Sequence, residues 1–275
     1  MIHNFSKIVF QTKNNSLINK WRFSHMFLLK NNDQIIQDET NIIVLFSGTR
    51  HVLSTSSLNG GFRTELDAVF NHCDKDPVTG YCEMHGATYK NHLQYIANEL
   101  GLSPKKVCGL STAVDLSLAE IVQESFQDYT VTVICSGGVA HNGRRAGDPT
   151  TMWEQDEIYH VEQEIIPHSS GTVNIILHID AHLSEGAMAT ALMVATEAKA
   201  ATIRDFNFKS CYSDQYTSGS GTDGVIVICD TESQTHLYHA ATDVKLGECI
   251  GKAVSAALKD QLIKQLAYEE QVNKK

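Results

Sequence analysis

From residue 106 onward, apolar runs that favour strands alternate with segments that favour helices, without a constant period. This alternation is typical of a protein in which helices pack on a β-sheet, so we predict an α/β or α+β fold. We expect a single layered domain with helices on a mixed β-sheet, because no linker interrupts the elements. The domain is expected to cover residues 41–270, preceded by strands or an extension in residues 1–40.

Composition and period predict the individual elements. The helix predicted over 184–206 is so rich in alanine that it can lie close against a sheet or another helix. Ser184 is its expected N-cap, and Gly101 is expected to close an earlier helix. Strands are predicted over 6–12, 21–29, 41–46, 50–57, 106–112, 130–138, 158–166, 172–179, 224–229 and 235–240. Helices are predicted over 64–71, 91–101, 113–126, 184–206 and 246–270, and a loop over 72–89.

The net charge and the cysteines indicate which partners and which cellular compartment to expect. A formal net charge of −10 at pH 7 argues against a nucleic-acid partner, which would normally require a basic face. The seven cysteines include no C-x-x-C pair, and most lie in or beside apolar runs. We therefore expect reduced thiols and a cytoplasmic protein. No signal peptide and no apolar run of the ~18–20 residues that a membrane span needs is visible, so no membrane partner is expected.

A glycine-rich segment, SGSGTDG at 218–224, directly precedes an apolar strand. Phosphate-binding loops follow a strand and precede a helix, so that the helix N-terminus faces the anion; the order here is the reverse. Ser136 is followed by two glycines in the manner of a nucleophile elbow, but Ile134 stands where the elbow needs glycine. The sequence therefore argues against a nucleotide site and against a serine hydrolase of that type.

The segment HIDAH at 178–182 resembles a metal-ligand pattern. On a strand, His178, Asp180 and His182 would project to one face. Two histidines and a carboxylate are a known ligand set. We favour the interpretation that they line the solvent-facing side of a strand end, and we predict no metal site.

Polar segments of small residues stand at the ends of several predicted elements, where α/β proteins usually place their sites. In one of them, Glu197 and Lys199 lie about 200° apart around a helix and cannot both face one point. Either one of the two belongs to a site, or the helix end lines a broad cavity. The polar segments are 54–61, 109–113, 136–148, 196–199 and 218–223.

In this order, these segments resemble the adenosylcobinamide amidohydrolase family over residues 45–260. The resemblance implies a hydrolase of corrinoid salvage, which cleaves the amide joining aminopropanol to adenosylcobinamide and releases adenosylcobyric acid for coenzyme B12 synthesis. It implies a small-molecule corrinoid substrate and no cofactor beyond the cobalt of that substrate. The matching motifs are LSTSSLNGG (53–61), GLSTA (109–113), HNGRRAGD (141–148), residues 171–201, SGSGTDGVIV (218–227) and KLGECIGKAV (245–254).

Amide hydrolysis needs an attacking water or nucleophile, stabilisation of the oxyanion, and a proton for the departing amine. Carboxylates in a partly dry cavity can act as base and then as acid, and a histidine is an alternative proton carrier. The attacking group is left open between water and a side chain such as Thr222 or Ser111. The candidate catalytic residues within the family-like motifs are Asp148, Glu197, Asp223 and His141. The candidate substrate-binding residues are Asn59, Gly60, Gly61, Asn142, Thr222 and Lys199.

Two other classes of function stay open. The same turns would suit a corrinoid carrier or sensor without hydrolysis, and an unrelated amidase or acyl transferase would act on a smaller amide. The glycine spacing in GECIG at 247–251 suits close helix packing within one subunit or between subunits, which allows a homo-oligomer.

Overall fold

The computed structural model describes residues 25–75, 82–162 and 171–272. Its longer helices are α1 (Tyr89–Glu99), α2 (Glu185–Asp205) and α3 (Lys245–Val272), with a short 3₁₀ helix at Leu116–Leu118. The first eight strands are β1 (His25–Leu28), β2 (Gln34–Gln37), β3 (Asn41–Leu45), β4 (Arg50–Ser54), β5 (Gly61–Arg63), β6 (Ala68–Cys73), β7 (Val107–Thr112) and β8 (Glu120–Phe126). The others are β9 (Tyr129–Gly137), β10 (Met152–Gln155), β11 (Ile158–Val161), β12 (Val173–Ile179), β13 (His182–Leu183), β14 (Gly224–Asp230) and β15 (His236–Leu237).

Two sheets account for most of the strands. The first has the order β1-β2-β3-β6-β7, and the second has the order β5-β4-β14-β12-β9-β8. Each sheet is mixed, because β6 runs parallel to β7 and β12 runs parallel to β14, whereas the other pairs are antiparallel. The predicted α/β class with helices on a mixed sheet is confirmed, and the structure adds a second sheet to it.

Three apolar clusters hold four layers together. Helix α1 packs on the outer face of the first sheet, where Leu93 and Ile96 belong to the same cluster as Phe70. The inner faces of the two sheets meet in a cluster that includes Val69 of β6 and Ile226 of β14. Helices α2 and α3 cover the outer face of the second sheet. The order of layers is therefore helix, sheet, sheet, helices.

Strand β12 lies at the centre of this arrangement and is buried along its whole length. Because side chains alternate along a strand, Ile175 and Leu177 face the helices while Ile176 faces the other sheet. The two polar residues that share the inner face, Asn174 and His178, lie at opposite ends of the strand. Each of them belongs to a polar network at one end of the interface between the sheets.

One of these networks, which we call the Arg50 end, is closed to solvent. Arg50 is 1% exposed, and its Nε donates to Asp33 Oδ2 at 2.8 Å while Nη1 donates to Asp230 Oδ1 at 2.9 Å. His178 Nε2 lies 2.8 Å from Asp33 Oδ2. Burying these charges is tolerable only because each has a partner of opposite charge.

The placement of His178 corrects the interpretation of the HIDAH segment. His178 is 1% exposed and faces the other sheet rather than the solvent. Asp180 is also buried, and burial raises the pKa of its carboxyl group. Across the described ranges, no group of three or more His, Cys, Asp or Glu side chains is arranged to hold a metal ion.

Two helix predictions are wrong. Residues 64–71 end in the buried strand β6, which lies between β3 and β7, and a short apolar run of this kind cannot be assigned by period alone. Residues 113–126 contain the 3₁₀ helix and the edge strand β8, which forms an antiparallel hairpin with β9. Pairing with β9 outweighs the helical propensity of this segment.

The other element predictions vary in accuracy. The helices predicted over 91–101, 184–206 and 246–270 are confirmed within two residues at each end, with Ser184 as N-cap and Gly101 at a φ of 71° after α1. The segment 235–240 forms a strand only at His236–Leu237. The segment predicted over 158–166 contains a strand at Ile158–Val161, and its residues 163–166 lie outside the described part of the chain. The strand predicted over 6–12 lies outside the described residues, as do residues 21–24 of the strand predicted over 21–29, whose described part forms β1 at His25–Leu28. Strands β1 and β2 belong to the first sheet although they precede residue 41.

None of the helices in the described part of the chain is long and apolar enough to cross a membrane.

Stability at acid pH should depend on Asp33. Burial alone would raise the pKa of its carboxyl group, but hydrogen bonds from His178 and Arg50 outweigh burial and lower the pKa from 3.8 to about 2. A carboxyl group whose pKa is lower in the folded state stabilises the fold above its unfolded pKa, and this contribution disappears as the pH falls through the folded pKa. The loss between pH 5 and pH 2 should be about 2 kcal/mol.

Urea unfolding of the wild type and of Asp33→Asn across this pH range tests the prediction. The free energy of unfolding of the variant should change by about 2 kcal/mol less than that of the wild type between pH 5 and pH 2. Parallel curves would contradict it.

Candidate functional site

The opposite end of the sandwich, which we call the Asp223 end, combines charged and hydroxyl groups with access to solvent. It is formed where β9 ends and where β12 and β14 begin, because Asn174 pairs with Ser136 on one side and with Gly224 on the other. Thr222 is exposed there, and Ser220 and Asp223 are half-buried. A substrate can therefore reach this end, whereas the Arg50 end is sealed.

An ion pair between Lys199 and Asp223 forms the centre of this end. Lys199 lies on α2 and is 8% exposed, and its Nζ donates to Asp223 Oδ2. The alanines of α2 at positions 191, 195 and 198 are buried against the second sheet, so the helix approaches closely enough for this contact. The pairing is required because an unpaired ammonium group would be costly to bury.

The Asp223 carboxylate is also held by three further groups. It accepts hydrogen bonds from Val173 N at 2.9 Å, from Ser220 N at 3.0 Å and from Ser220 Oγ at 2.6 Å. The first of these bonds fixes the loop at 218–223 to the start of β12. The last places a hydroxyl group next to an ionised acceptor, which is the geometry that a nucleophile and its base require.

Two threonines complete the hydroxyl cluster, of which Thr222 is exposed and Thr172 is buried. Thr172 Oγ1 donates to Thr222 O at 2.8 Å, and Thr222 Oγ1 donates to Thr172 Oγ1 at 3.0 Å. Ser220 Oγ lies 3.4 Å from both threonine hydroxyl oxygens. The cluster therefore offers several donors and acceptors to a polar ligand beside the ion pair.

Glycine is required at position 219 by the closeness of the ion pair. A Cβ atom there would lie 2.0 Å from Asp223 Oδ2 and 2.7 Å from Lys199 Nζ. The backbone of Gly219 also pairs with the HNGRRAGD segment, since Arg144 N donates to Gly219 O at 2.8 Å. The two motifs, which are far apart in the sequence, therefore form one structure.

Between the sheets, the Asp223 end continues as a buried amide network. Asn174 Nδ2 donates to Asn71 Oδ1 and to Ser111 O, each at 2.9 Å. Asn71 Nδ2 donates to Ser136 Oγ at 2.9 Å. Tyr89 OH lies 2.8 Å from Ser111 Oγ and connects the network to the start of α1. These contacts fix the floor beneath the hydroxyl cluster.

A histidine–carboxylate pair lies beyond the network, where β6 ends. His92 Nε2 lies 2.9 Å from Asp74 Oδ1, and His85 N donates to His92 Nδ1 at 3.1 Å. This second bond makes Nδ1 an acceptor, so the His92 proton is on Nε2 and points at Asp74. Burial lowers the pKa of the neighbouring His72. Both nitrogen atoms of His92 are engaged, so its role here is to hold Asp74 in position.

The structure brings several of the candidate residues together. Lys199, Thr222 and Asp223 belong to the cluster itself. Asn142 joins it from the neighbouring loop, because its Nδ2 donates to Gly171 O beside Thr172.

Asp148 lies on the same pair of loops. Its carboxylate accepts hydrogen bonds from Ser210 Oγ at 2.5 Å and Ser213 Oγ at 2.6 Å. These bonds, together with one from Arg145 N, lower the pKa of Asp148.

Other candidates lie apart from the ion pair. Glu197 is exposed on α2, on the side of the helix opposite to Lys199. His141 is 59% exposed, and its Nε2 lies 3.1 Å from Glu269 Oε2 of α3. Glu197 therefore lies on the outer surface of the helical layer, and His141 is exposed beside the C-terminal part of α3.

The turn at 59–61 has a structural explanation. Asn59 Nδ2 donates to Pro104 O at 2.8 Å and to Val107 O at 2.7 Å, which ties the turn to the start of β7. A Cβ atom at Gly60 would lie 1.9 Å from Ser56 O, and Gly61 has a φ of 78°. The Asn59 side chain and the two glycines therefore have structural roles in this turn.

The sequence did not single out Ser220, Thr172, Asn174 or Asn71. One signal was available: Asn174 interrupts an otherwise apolar strand, and a buried amide needs hydrogen-bond partners. The role of Ser220 depends on its contact with Asp223 three residues later, and the loop conformation that produces this contact has no sequence signature.

Comparisons with known proteins agree on a family. A family model described as adenosylcobinamide amidohydrolase matches residues 27–270. An uncharacterised protein of Methanocaldococcus jannaschii is 32% identical over 238 residues, which are 85% of this chain and 89% of that protein. The adenosylcobinamide amidohydrolase of Methanosarcina mazei is 27% identical over 234 residues, which are 82% of this chain and 94% of that protein.

Among solved structures, the crystal structure of the PH0078 protein from Pyrococcus horikoshii is similar, with 12% sequence identity and a TM-score of 0.38. The match covers 85% of this chain and 79% of that one. A likeness at this level supports no statement about function.

Replacing Gly219 by alanine should disrupt the ion pair. Asp223 cannot move away from the new Cβ atom without loss of its bonds to Val173 and Ser220, so the free energy of unfolding should fall by about 1–3 kcal/mol. Gly221→Ala is the matched control, because the nearest atom to its Cβ is Arg144 Nε at 3.7 Å.

Urea denaturation of both variants measures the difference. The control should remain within about 0.5 kcal/mol of the wild type. Equal effects of the two substitutions would show that the close approach at Gly219 does not hold the pair in place.

Proposed function

The chain belongs to the adenosylcobinamide amidohydrolase family, and on this premise we propose that the Asp223 end hydrolyses the aminopropanol amide of adenosylcobinamide. The products would be aminopropanol and adenosylcobyric acid, which can re-enter coenzyme B12 synthesis. We extend the proposal to a role in cobinamide salvage in the cytoplasm. The observation that supports it best is the cluster of Ser220, Asp223 and Lys199, which lies within a motif shared with the family and is open to solvent.

The proposed reaction begins with attack on the amide carbon by Ser220 Oγ. Asp223 accepts the hydroxyl proton, because its carboxylate oxygen lies 2.6 Å from Ser220 Oγ. The carbonyl oxygen becomes an oxyanion, and the ammonium group of Lys199 is the positive charge of the same cluster that offsets it. The sequence shows no base next to the hydroxyl group of Thr222 or Ser111, whereas the hydroxyl group of Ser220 lies next to Asp223.

The second half of the reaction returns the enzyme to its starting state. Asp223 transfers the proton to the nitrogen of the departing aminopropanol as the carbon–nitrogen bond breaks. Water then attacks the ester formed with Ser220, and Asp223 accepts a proton from the water. As the bond between the acyl carbon and Ser220 Oγ breaks, Asp223 returns this proton to Ser220 Oγ and the carboxylic acid is released. The scheme needs no cofactor, and the cobalt takes part only as a component of the substrate.

Substrate binding is assigned to the polar groups around the cluster. Thr222 offers an exposed hydroxyl group, buried Thr172 holds Thr222 through two hydrogen bonds, and Asn142 holds the loop that precedes β12. Hydroxyl and amide groups of this kind match the amide side chains that surround a corrin ring. Asp148 then supports the same loops through Ser210 and Ser213.

One incubation separates the three classes of function. Purified protein is mixed with adenosylcobinamide, and free aminopropanol and the corrinoid product are identified by mass spectrometry. Release of aminopropanol supports the proposal. Corrinoid that binds without cleavage would make the protein a carrier or sensor, and neither binding nor cleavage would favour an amidase or acyl transferase acting on a smaller amide.

Substitutions within the cluster should remove turnover and preserve binding. We expect Asp223→Asn and Ser220→Ala each to lower kcat by about 10³-fold, because each removes one partner of the proton transfer. Glu197→Gln is the control, since Glu197 is exposed on the other side of α2, and its kcat should stay within twofold of the wild type. Steady-state kinetics measure the rates, and thermal unfolding and corrinoid binding verify that each variant is folded.

The two active-site variants report different parts of the scheme. If Asp223→Asn is inactive while Ser220→Ala retains the wild-type rate, a water molecule is the attacking group and the role of Ser220 is wrong. If both retain full turnover, the reaction takes place elsewhere in the protein.

A further inference from the structure

The hairpin of β10 and β11 exposes an unusual amount of apolar surface. Met152, Trp153, Ile158, Tyr159 and Val161 are between 41% and 62% exposed. No third strand pairs with the hairpin among the described residues. A two-stranded hairpin is marginally stable by itself, and a contiguous exposed apolar patch commonly marks a binding surface.

The strand register divides these side chains between two faces. Met152 pairs with Val161, and the next pair on that face is Glu154 with Tyr159. The opposite face carries Trp153, His160, Gln155 and Ile158. Trp153 and His160 stack on each other with ring centroids 5.0 Å apart, so part of the opposite face already has an intramolecular partner.

The hairpin is attached directly to the proposed active site. The chain enters it after Asp148, which is anchored by Ser210 and Ser213. It re-enters the described structure at Gly171, next to the hydroxyl cluster. Just before the hairpin, Arg144 Nη1 donates to Pro149 O at 3.1 Å, and Arg144 N donates to Gly219 O at 2.8 Å. The start of the hairpin is therefore tied to the loop beside the ion pair.

The charge of the hairpin favours a cationic ligand. Between residues 152 and 162 the sequence contains Glu154, Asp156, Glu157 and Glu162 but no lysine or arginine. A cobalt(III) corrin that carries one alkyl ligand has a net positive charge and a broad apolar ring. The hairpin combines the two properties that such a ligand requires: an apolar surface and negative charge at its edge.

We propose that the face of the hairpin formed by Met152, Tyr159 and Val161 packs against the corrin ring of the substrate. This inference rests on the proposed function and assigns to the hairpin the recognition of the macrocycle, while the Asp223 end acts on the amide. Tyr159 is the principal contact, because it is more exposed than Trp153 and lies on the face opposite to the stacked rings of Trp153 and His160.

The test compares two neighbouring residues of nearly equal exposure on opposite faces, Tyr159 at 62% and Ile158 at 60%. Binding of adenosylcobinamide is measured by calorimetry in the Asp223→Asn background, so that turnover does not interfere. Tyr159→Ala should raise Kd about tenfold, whereas Ile158→Ala should leave it within about twofold and Tyr159→Phe should preserve it. Circular dichroism of each variant establishes that the fold is unchanged.

The outcomes separate this inference from the proposed function. If Tyr159→Ala binds adenosylcobinamide as tightly as its parent, or if Ile158→Ala weakens binding equally, the hairpin face does not recognise the ring and the inference is overturned. If the wild type neither binds nor cleaves adenosylcobinamide, the proposed function fails first, and the inference fails with it.

Discussion

The burial of β12 on both faces is the constraint on which the rest of the structure depends. Its alternate side chains join two different apolar clusters, one beneath α2 and α3 and one against the other sheet. A shift of one residue in register would place Asn174 and His178 among the apolar side chains under the helices. The register therefore determines both polar ends of the interface between the sheets, and with them the position of Val173 N, which binds Asp223.

The two ends use similar chemistry for different purposes. Each contains a cation held by carboxylate oxygens: Arg50 with Asp33 and Asp230 at one end, and Lys199 with Asp223 at the other. At the Arg50 end Arg50, Asp33 and Asp230 are all buried and Arg50 is paired with both carboxylates, so the network supports the fold. At the Asp223 end the carboxylate also accepts a hydrogen bond from a serine hydroxyl, and the adjoining threonine is exposed, so a substrate can reach the group that we propose as the proton acceptor.

The sequence predicted the class of fold correctly, but it did not predict that the fold contains two sheets. The three long helices and most central strands follow from period and capping residues. Residues 64–71 and 113–126 were assigned to helices because β6 and β8 are defined by pairing with distant strands, which local propensity does not report. The second sheet was missed for the same reason.

The family-like motifs named Lys199, Thr222, Asp223 and Asn142, which the structure brings together, and helix geometry indicated that Glu197 and Lys199 could not both face one point. The choice between those two residues depends on which side of α2 contacts the sheet. That contact is set by packing between layers. The proximity of Ser220 to Asp223 likewise depends on the loop conformation that Gly219 permits.

A crystal structure of the Asp223→Asn variant with bound adenosylcobinamide tests the central claim most directly. The account predicts that the aminopropanol amide carbon lies within reach of Ser220 Oγ, with the corrin ring beside Tyr159. An amide carbon located near the Arg50 end, or against the outer surface of α2 and α3, would contradict it.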